Sequence, residues 1–164
     1  MSTKKDLALH WDNAYKKSPV EKLGWYEEIP EPSLRLIDKC HLSKEARVLN
    51  VGAGATSLVG ELITRGFKNI IANDISQEAV IQLKSILGSE SKKVQWLIDD
   101  LTKPTEFNTL EKVDLWHDRA VLHFFTSTED QHSYFSLLKS LLKPKGFAII
   151  AVFNLEGAPM CSGL

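Results

Sequence analysis

One stretch limits what this chain can become more than any other: Arg47-Val48-Leu49-Asn50-Val51-Gly52-Ala53-Gly54-Ala55-Thr56-Ser57. Val48, Leu49 and Val51 form a short apolar run that reads as a buried strand, and Leu58 to Arg65 resumes with helical spacing. Between them Gly52 and Gly54 supply a tight turn without Cβ atoms. Such a strand, glycine turn and helix lets the backbone approach a ligand and points the amide N–H groups of a new helix at it, which suits a nucleotide-like or carboxylate-bearing molecule. About twenty residues on, Ile70-Ile71-Ala72-Asn73-Asp74 reads as a second strand ending in an acid, where folds of this kind bind ribose hydroxyls.

The rest of the chain repeats this alternation. An amphipathic helix is expected over residues 5–16 (Leu7, Trp11, Ala14 and Tyr15 on one face), ended by Ser18-Pro19, and a second over residues 33–39. Between them Trp25 and Tyr26 fall in a loop, either as anchors pinning the N-terminal arm or as a cover over a ligand. Ser76 is a candidate N-cap for a helix whose Ala79, Val80, Leu83, Ile86 and Leu87 face inward before Gly88 stops it. Val94 to Ile98 is a third strand ending in Asp99-Asp100-Leu101, and Val113 to Trp116 a fourth, entered from a short helix around Glu106 to Glu111. Ser127-Thr128-Glu129-Asp130 opens a helix reaching Leu142, Leu142 to Gly146 is a turn, and Phe147 to Phe153 a fifth, apolar strand. Strands alternating with helices predict an α/β, doubly wound, Rossmann-like fold with a mostly parallel sheet covered on both faces. Ligands bind at the carboxyl ends of such strands, and Gly52, Asp74, Asp100, His117 and Asn154 are all expected there.

With 164 residues one domain is expected, divided into an N-terminal helical arm over 1–40 and a core over 46–164. No apolar run approaches bilayer length and no apolar segment follows Met1 to Asp6, which favours a soluble, cytoplasmic protein. Cys40 and Cys161 lack any metal or redox spacing, so neither a disulfide nor a metal site is expected. A formal charge of −1 offers no global attraction to nucleic acid.

On these residues the sequence resembles the class I S-adenosylmethionine-dependent methyltransferases. Val48 to Gly54 is similar to their first motif, Asp74 to their ribose-binding acid, Asp100-Leu101 to their adenine-binding pair, and Leu141 to Gly146 to the turn before their fifth strand. Trp11-x-x-x-Tyr15, Trp25-Tyr26 and Trp116 to Phe124 resemble bacterial small-molecule or unassigned members near the thiopurine and protein-lysine branches. The resemblance implies S-adenosylmethionine as cofactor and S-adenosylhomocysteine as product. It implies cofactor contacts from Asn50, Gly52, Ala53, Gly54 and Thr56, from Asp74 and Ile75, from Asp100 and Leu101, and from Trp11, Tyr15 and His117, with Trp25 and Tyr26 as a lid over the substrate.

For catalysis, His117 is the candidate base, with a hydrogen-bonded structural histidine as the alternative; Asp118 and Arg119 are expected to orient it, to recognise an acidic acceptor, or to be only a surface ion pair. His123 reads as packing. The implied acceptor is a small molecule before a protein. The absence of an Asn/Asp-Pro-Pro-aromatic motif and of a Pro-Cys pair removes support for base methylation. Two features depart from the family. Asn50 stands where an acid is usual, with Thr56 at the third glycine position, and the sixth and seventh strands that normally close the sheet are missing from the pattern. The fifth strand would then be an apolar edge, so either the sequence is a C-terminally truncated piece of a longer protein or the edge pairs with a partner, and for the chain as given a homodimer or an aggregation-prone monomer is expected. A catalytically inactive binding or assembly module is the main competing reading, and a nicotinamide dehydrogenase a weaker one.

Overall fold

The structure, a computed structural model, describes residues 6–154 together with 156, 157, 162 and 164. Lys5, the expected start of the first helix, and Cys161 lie outside the described residues. Five strands, β1 (Arg47–Val51), β2 (Asn69–Asp74), β3 (Val94–Ile98), β4 (Val113–Arg119) and β5 (Leu142–Ala151), form one sheet in the order β3-β2-β1-β4-β5. Every pairing is parallel. β1 sits at the centre, and the strand order reverses on either side of it, so the connections after β1 and β4 diverge and leave a crevice above their carboxyl ends.

Each central strand is apolar on both sides because each side is covered. Val48, Ile70, Ala72 and Leu115 pack with Leu34 and Ile37 of α2 (Glu31–Lys39), Leu58, Val59 and Leu62 of α3 (Leu58–Thr64) and Ala79 and Leu83 of α4 (Gln77–Leu87). Leu49, Val51, Ile71 and Trp116 pack on the opposite side with Phe107 and with Tyr134, Leu137 and Leu141 of α5 (Thr128–Leu141). The predicted caps form: Ser76 Oγ accepts from the Ala79 amide at 3.1 Å and Ser127 Oγ from the Asp130 amide at 3.1 Å. α1 (Leu7–Lys17) is strapped across α4 by Asp12, whose Oδ1 accepts from Ser76 Oγ at 2.6 Å and from the Glu78 amide at 3.0 Å.

Four local expectations need correction. The stretch Lys143-Pro144-Lys145-Gly146 is not a turn before β5 but a bulge within it: Val113 pairs with Leu142 and Leu115 with Phe147, so the residues between are looped out, with Lys145 at φ 67°. β4 runs three residues past Trp116, placing His117 inside the strand. Ile86 is exposed; Leu87 takes the inward place against Gly60, and neighbouring helix positions point about 100° apart. The segment before β4 is a single 3-10 turn over Glu106–Thr109. β5 is an edge strand, as expected, and Phe147 and Ile150 on it, with Val152 and Phe153 just beyond, are exposed.

Candidate functional site

A cleft open to solvent, about 1100 Å³ with the open space at its mouth counted in, lies over the carboxyl ends of β1, β2 and β4 and is roofed by the N-terminal arm. Its floor is the glycine turn. Gly52 and Gly54 both adopt φ +57°, a left-handed conformation that side chains disfavour. Space excludes side chains as well: a Cβ on Gly52 would stand 2.1 Å from Val121 Cγ2, and one on Gly54 2.4 Å from the Tyr15 hydroxyl. The turn is held by the end of β2. The Ala53 amide donates to the Asn73 carbonyl at 2.7 Å, and the Gly54 amide to Asp74 Oδ2 at 2.8 Å.

Asp74 is buried, and its second oxygen accepts from the Ser76 amide at 2.8 Å. Burial pushes its pKa up to about 6, against the backbone amides of Ser76, Gly54 and Ile75 that favour the carboxylate. It is ionised at neutral pH. A carboxylate offers about four acceptor positions, so the three amides still leave room for a hydroxyl donor from a ligand.

The two acids after β3 divide their work. Asp99 is consumed by its own loop, accepting from Thr105 N at 2.9 Å, Thr105 Oγ1 at 3.0 Å and Phe107 N at 3.0 Å. Asp100 lines the cleft; one oxygen, Oδ1, takes both the amide and the hydroxyl of Thr102 at 2.8 Å. Leu101 beside it is buried and also lines the cleft.

The roof is aromatic. The Tyr15 hydroxyl accepts from Trp25 Nε1 at 3.2 Å, and burial, with the charge of Asp74 nearby, raises the Tyr15 pKa and keeps the phenol protonated. Trp11 meets Trp25 and Phe124 edge-on, with ring centroids 5.5 and 5.1 Å apart. Arg119 fastens the loop over the cleft: its guanidinium donates to the Trp25 carbonyl, and its Nε lies 3.4 Å from Glu27 Oε2. Ser57 Oγ donates to the Glu27 carbonyl at 2.7 Å.

β4 contributes two polar neighbours that go to opposite faces. His117 shares a face with Asn50, its register partner on β1, and is 2% exposed. Its Nδ1 is 3.0 Å from Asn50 Oδ1 and its Nε2 2.9 Å from Ser33 Oγ on α2. Burial and the Arg119 charge push the His117 pKa down to about 4, so the ring is neutral. Asp118 is fully buried on the other face, where it accepts from the Tyr134 hydroxyl at 2.6 Å, the Val121 amide at 3.0 Å and the Leu122 amide at 3.2 Å. Strand alternation therefore rules out the expected orienting contact between Asp118 and His117.

The cleft thus gathers Trp11, Tyr15, Trp25, Asn50, Gly52, Ala53, Gly54, Thr56, Asp74, Ile75, Asp100, Leu101, His117 and Arg119 from the sequence reading. Asp118, Tyr26 and Asn154 do not line it: Tyr26 packs, half-buried, against the core that α2, α3 and α4 share with the sheet, and Asn154 lies three residues beyond β5. His123 stacks between Phe124 and Phe153, with centroids 4.2 and 4.6 Å away, in keeping with packing. Ser33, Glu27 and Asn73 line the cleft and went unnoticed in the sequence. Asn73 Nδ2 donates to the carbonyls of Leu97 and Asp99, tying β2 to the end of β3. Among the described residues no cluster of three or more His, Cys, Asp or Glu could hold a metal, and no helix is long and apolar enough to cross a membrane.

This arrangement has relatives. An EEF1A lysine methyltransferase 2 of Danio rerio is 26% identical over 159 residues, 88% of this chain and 67% of that protein. Among solved structures, an S-adenosylmethionine-dependent methyltransferase from Clostridium acetobutylicum superposes with a TM-score of 0.63 at 21% identity, covering 87% of this chain and 54% of the other. The N-methyltransferase NodS from Bradyrhizobium japonicum, solved with S-adenosyl-L-homocysteine, gives 0.65 at 17% identity, covering 85% and 71%. The chain therefore spans between about half and about seven tenths of these proteins. A family model described as a methyltransferase domain matches residues 48–146, from the first residues of β1 through the bulge of β5. That match takes in the glycine turn, Asp74, Asp100 and His117, and by it the chain belongs to the methyltransferase domain family.

Proposed function

We propose that the protein is an S-adenosylmethionine-dependent methyltransferase acting on an amine nitrogen, with a lysine side chain of a protein as the first candidate acceptor. The observation that carries the cofactor half is the bond between Asp74 and the Gly54 amide: it fixes a ribose-binding acid against a turn whose two glycines leave no room for a Cβ. The residues present fit the cofactor. The turn offers a side-chain-free cradle for the amino-acid end, Asp74 retains acceptor capacity for ribose hydroxyls, and Asp100 with Leu101 supplies a polar and an apolar wall for adenine. The acceptor half is supported by the relatives named for lysine methylation; it replaces the small-molecule preference drawn from the sequence.

S-adenosylmethionine, when bound, supplies a methyl group already activated on a sulfonium, so this chain's residues have alignment and desolvation as their task. Trp11, Trp25 and Phe124 exclude water from the roof of the cleft. Glu27 and Arg119 are charged side chains on the approach to it and would meet an incoming acceptor.

Calorimetry with S-adenosylmethionine, S-adenosylhomocysteine and NAD tests the cofactor. Heat with the first two and none with NAD is expected; heat with NAD alone would make the protein a nicotinamide binder. Labelled methyl transfer to EEF1A, free lysine and small amines tests the acceptor, and binding without transfer to any of them would favour an inactive binding module. We further propose that a second copy covers the outer edge of β5, on which Phe147 is 42% and Ile150 36% exposed. A monomer mass at tens of micromolar by light scattering would count against it.

A further inference from the structure

Ser33, His117 and Asn50 form a buried row that the proposed chemistry does not otherwise explain. They come from α2, β4 and β1, they are 4%, 2% and 3% exposed, and the row ends two residues before Gly52. Both ring nitrogens of His117 are engaged, one by each neighbour. A base must offer a lone pair to the proton it removes, and here neither nitrogen faces the cleft unoccupied.

The hydrogen bonds have only one consistent direction once Asn50 Oδ1 faces the ring. An amide oxygen can only accept, so Nδ1 carries the imidazole proton and donates it. Because the ring is neutral, Nε2 is then an acceptor and the Ser33 hydroxyl donates to it. Asn50 Nδ2 makes no bond to the described protein, and it is the amide atom left to the cleft.

We propose that His117 is a positioning residue: held from α2 by Ser33, it locks the Asn50 amide with Oδ1 toward the sheet and Nδ2 toward the cleft, as a donor for the carboxylate of the cofactor's amino-acid end. The inference rests on the S-adenosylmethionine reading above and deepens it. An acid at position 50 could only accept hydrogen bonds from the ligand's ammonium. The amide instead offers a donor, so this chain would recognise the carboxylate at that point and depend on the His117 lock to keep the amide from turning round.

Two ligands separate this role from the alternatives: S-adenosylhomocysteine, which has the amino-acid end, and 5′-methylthioadenosine, which keeps the adenosine and lacks that end. Calorimetry on the full chain should show His117→Ala losing S-adenosylhomocysteine affinity on the order of five- to tenfold, about one hydrogen bond, with 5′-methylthioadenosine unchanged. His117→Gln, which keeps an N–H donor, should recover part of the loss. Equal loss for both ligands would make the row structural only. Unchanged affinity with a lowered kcat would make His117 the base. Either result overturns the proposal. Nitrogen-15 imidazole shifts of the wild-type protein give a test that needs no variant to fold: the pattern of an Nδ1–H tautomer is expected, and an Nε2–H pattern would overturn the lock. Binding of neither ligand by the wild-type protein would remove the cofactor reading itself and this inference with it. Wild-type binding of S-adenosylhomocysteine without the predicted discrimination removes the inference alone.

Discussion

His117 and Asp118 are consecutive residues of the same strand, both buried and both fully hydrogen-bonded, yet they belong to different parts of the molecule. Asp118 faces the side closed by α5, where Trp116 Nε1 donates to the Tyr134 hydroxyl at 3.0 Å and that hydroxyl donates on to the carboxylate. Its remaining partners are the amides of the turn that leaves β4, so the acid caps a chain reversal and meets no ligand. His117 faces the side that opens into the cleft, and its partners come from two other elements. The difference teaches that buried polar residues here serve two ends: a closed network that holds one loop, and an open-ended row whose last member lines the cleft.

The largest expected effect tests the closed network. Asp118→Ala removes the acceptor of the Tyr134 hydroxyl and of two amides in a site with no water access. The cost is about 3 kcal/mol, since an unsatisfied buried donor costs about 1–3 and partial relaxation recovers some of the sum. Urea unfolding at pH 7 measures it. His117→Gln keeps a donor and an acceptor in the open row and should lose under about 1 kcal/mol by the same measurement. A larger loss for His117→Gln than for Asp118→Ala would break the comparison.

A smaller effect is expected at the floor of the cleft. Gly54→Ala places a Cβ at φ +57° and 2.4 Å from the Tyr15 hydroxyl. The left-handed backbone costs about 1–2 kcal/mol, and displacing Tyr15 disturbs the roof that Trp25 shares. Calorimetry with S-adenosylhomocysteine should show at least tenfold weaker binding, while urea unfolding loses about 1–2 kcal/mol. Full affinity in this variant would mean that the ligand does not approach the turn.

The glycine turn and Asp74 were legible in the sequence because each is demanded locally. Positive φ selects glycine, and a strand that ends in an acid places it at the crevice whatever the rest of the chain does. Ser76 and Ser127 were legible for the same reason, since a cap is decided within four residues. Ser33 was not, because its partner is 84 residues away and nothing in a serine after proline reports a histidine on another strand. Asn73 and Glu27 were hidden likewise. The bulge in β5 was misread because proline and glycine mark a departure from regular pairing without saying whether the chain turns back or resumes the same strand. The adjacency of His117 and Asp118 suggests collaboration, and it deceives because neighbours in a strand point apart.

The subtlest expected effect is on pH dependence, and it follows from the same opposition. Asp118 is pushed up to about 6 by burial, so between pH 4 and 6 it keeps its proton in the folded protein and has lost it in the unfolded chain. The native state then binds more protons, and stability falls as pH rises through that window. Asp74, also near 6, acts in the same direction. His117, pushed down to about 4 from the ordinary 6.5, acts in the opposite one: the unfolded chain binds the proton that the native ring refuses, so stability rises from pH 4 to 6.5. Two falling contributions against one rising one leave the wild-type curve falling by about the 1.4 kcal/mol per pH unit that one uncompensated group gives. His117→Gln removes the rising contribution and should steepen the fall from pH 4 to 6, whereas Asp118→Asn removes a falling one and should leave the curve nearly flat. Urea midpoints measured every half unit across this range read both slopes. Parallel curves for the two variants would mean that the two faces of β4 do not hold their charges apart in the way their hydrogen bonds imply.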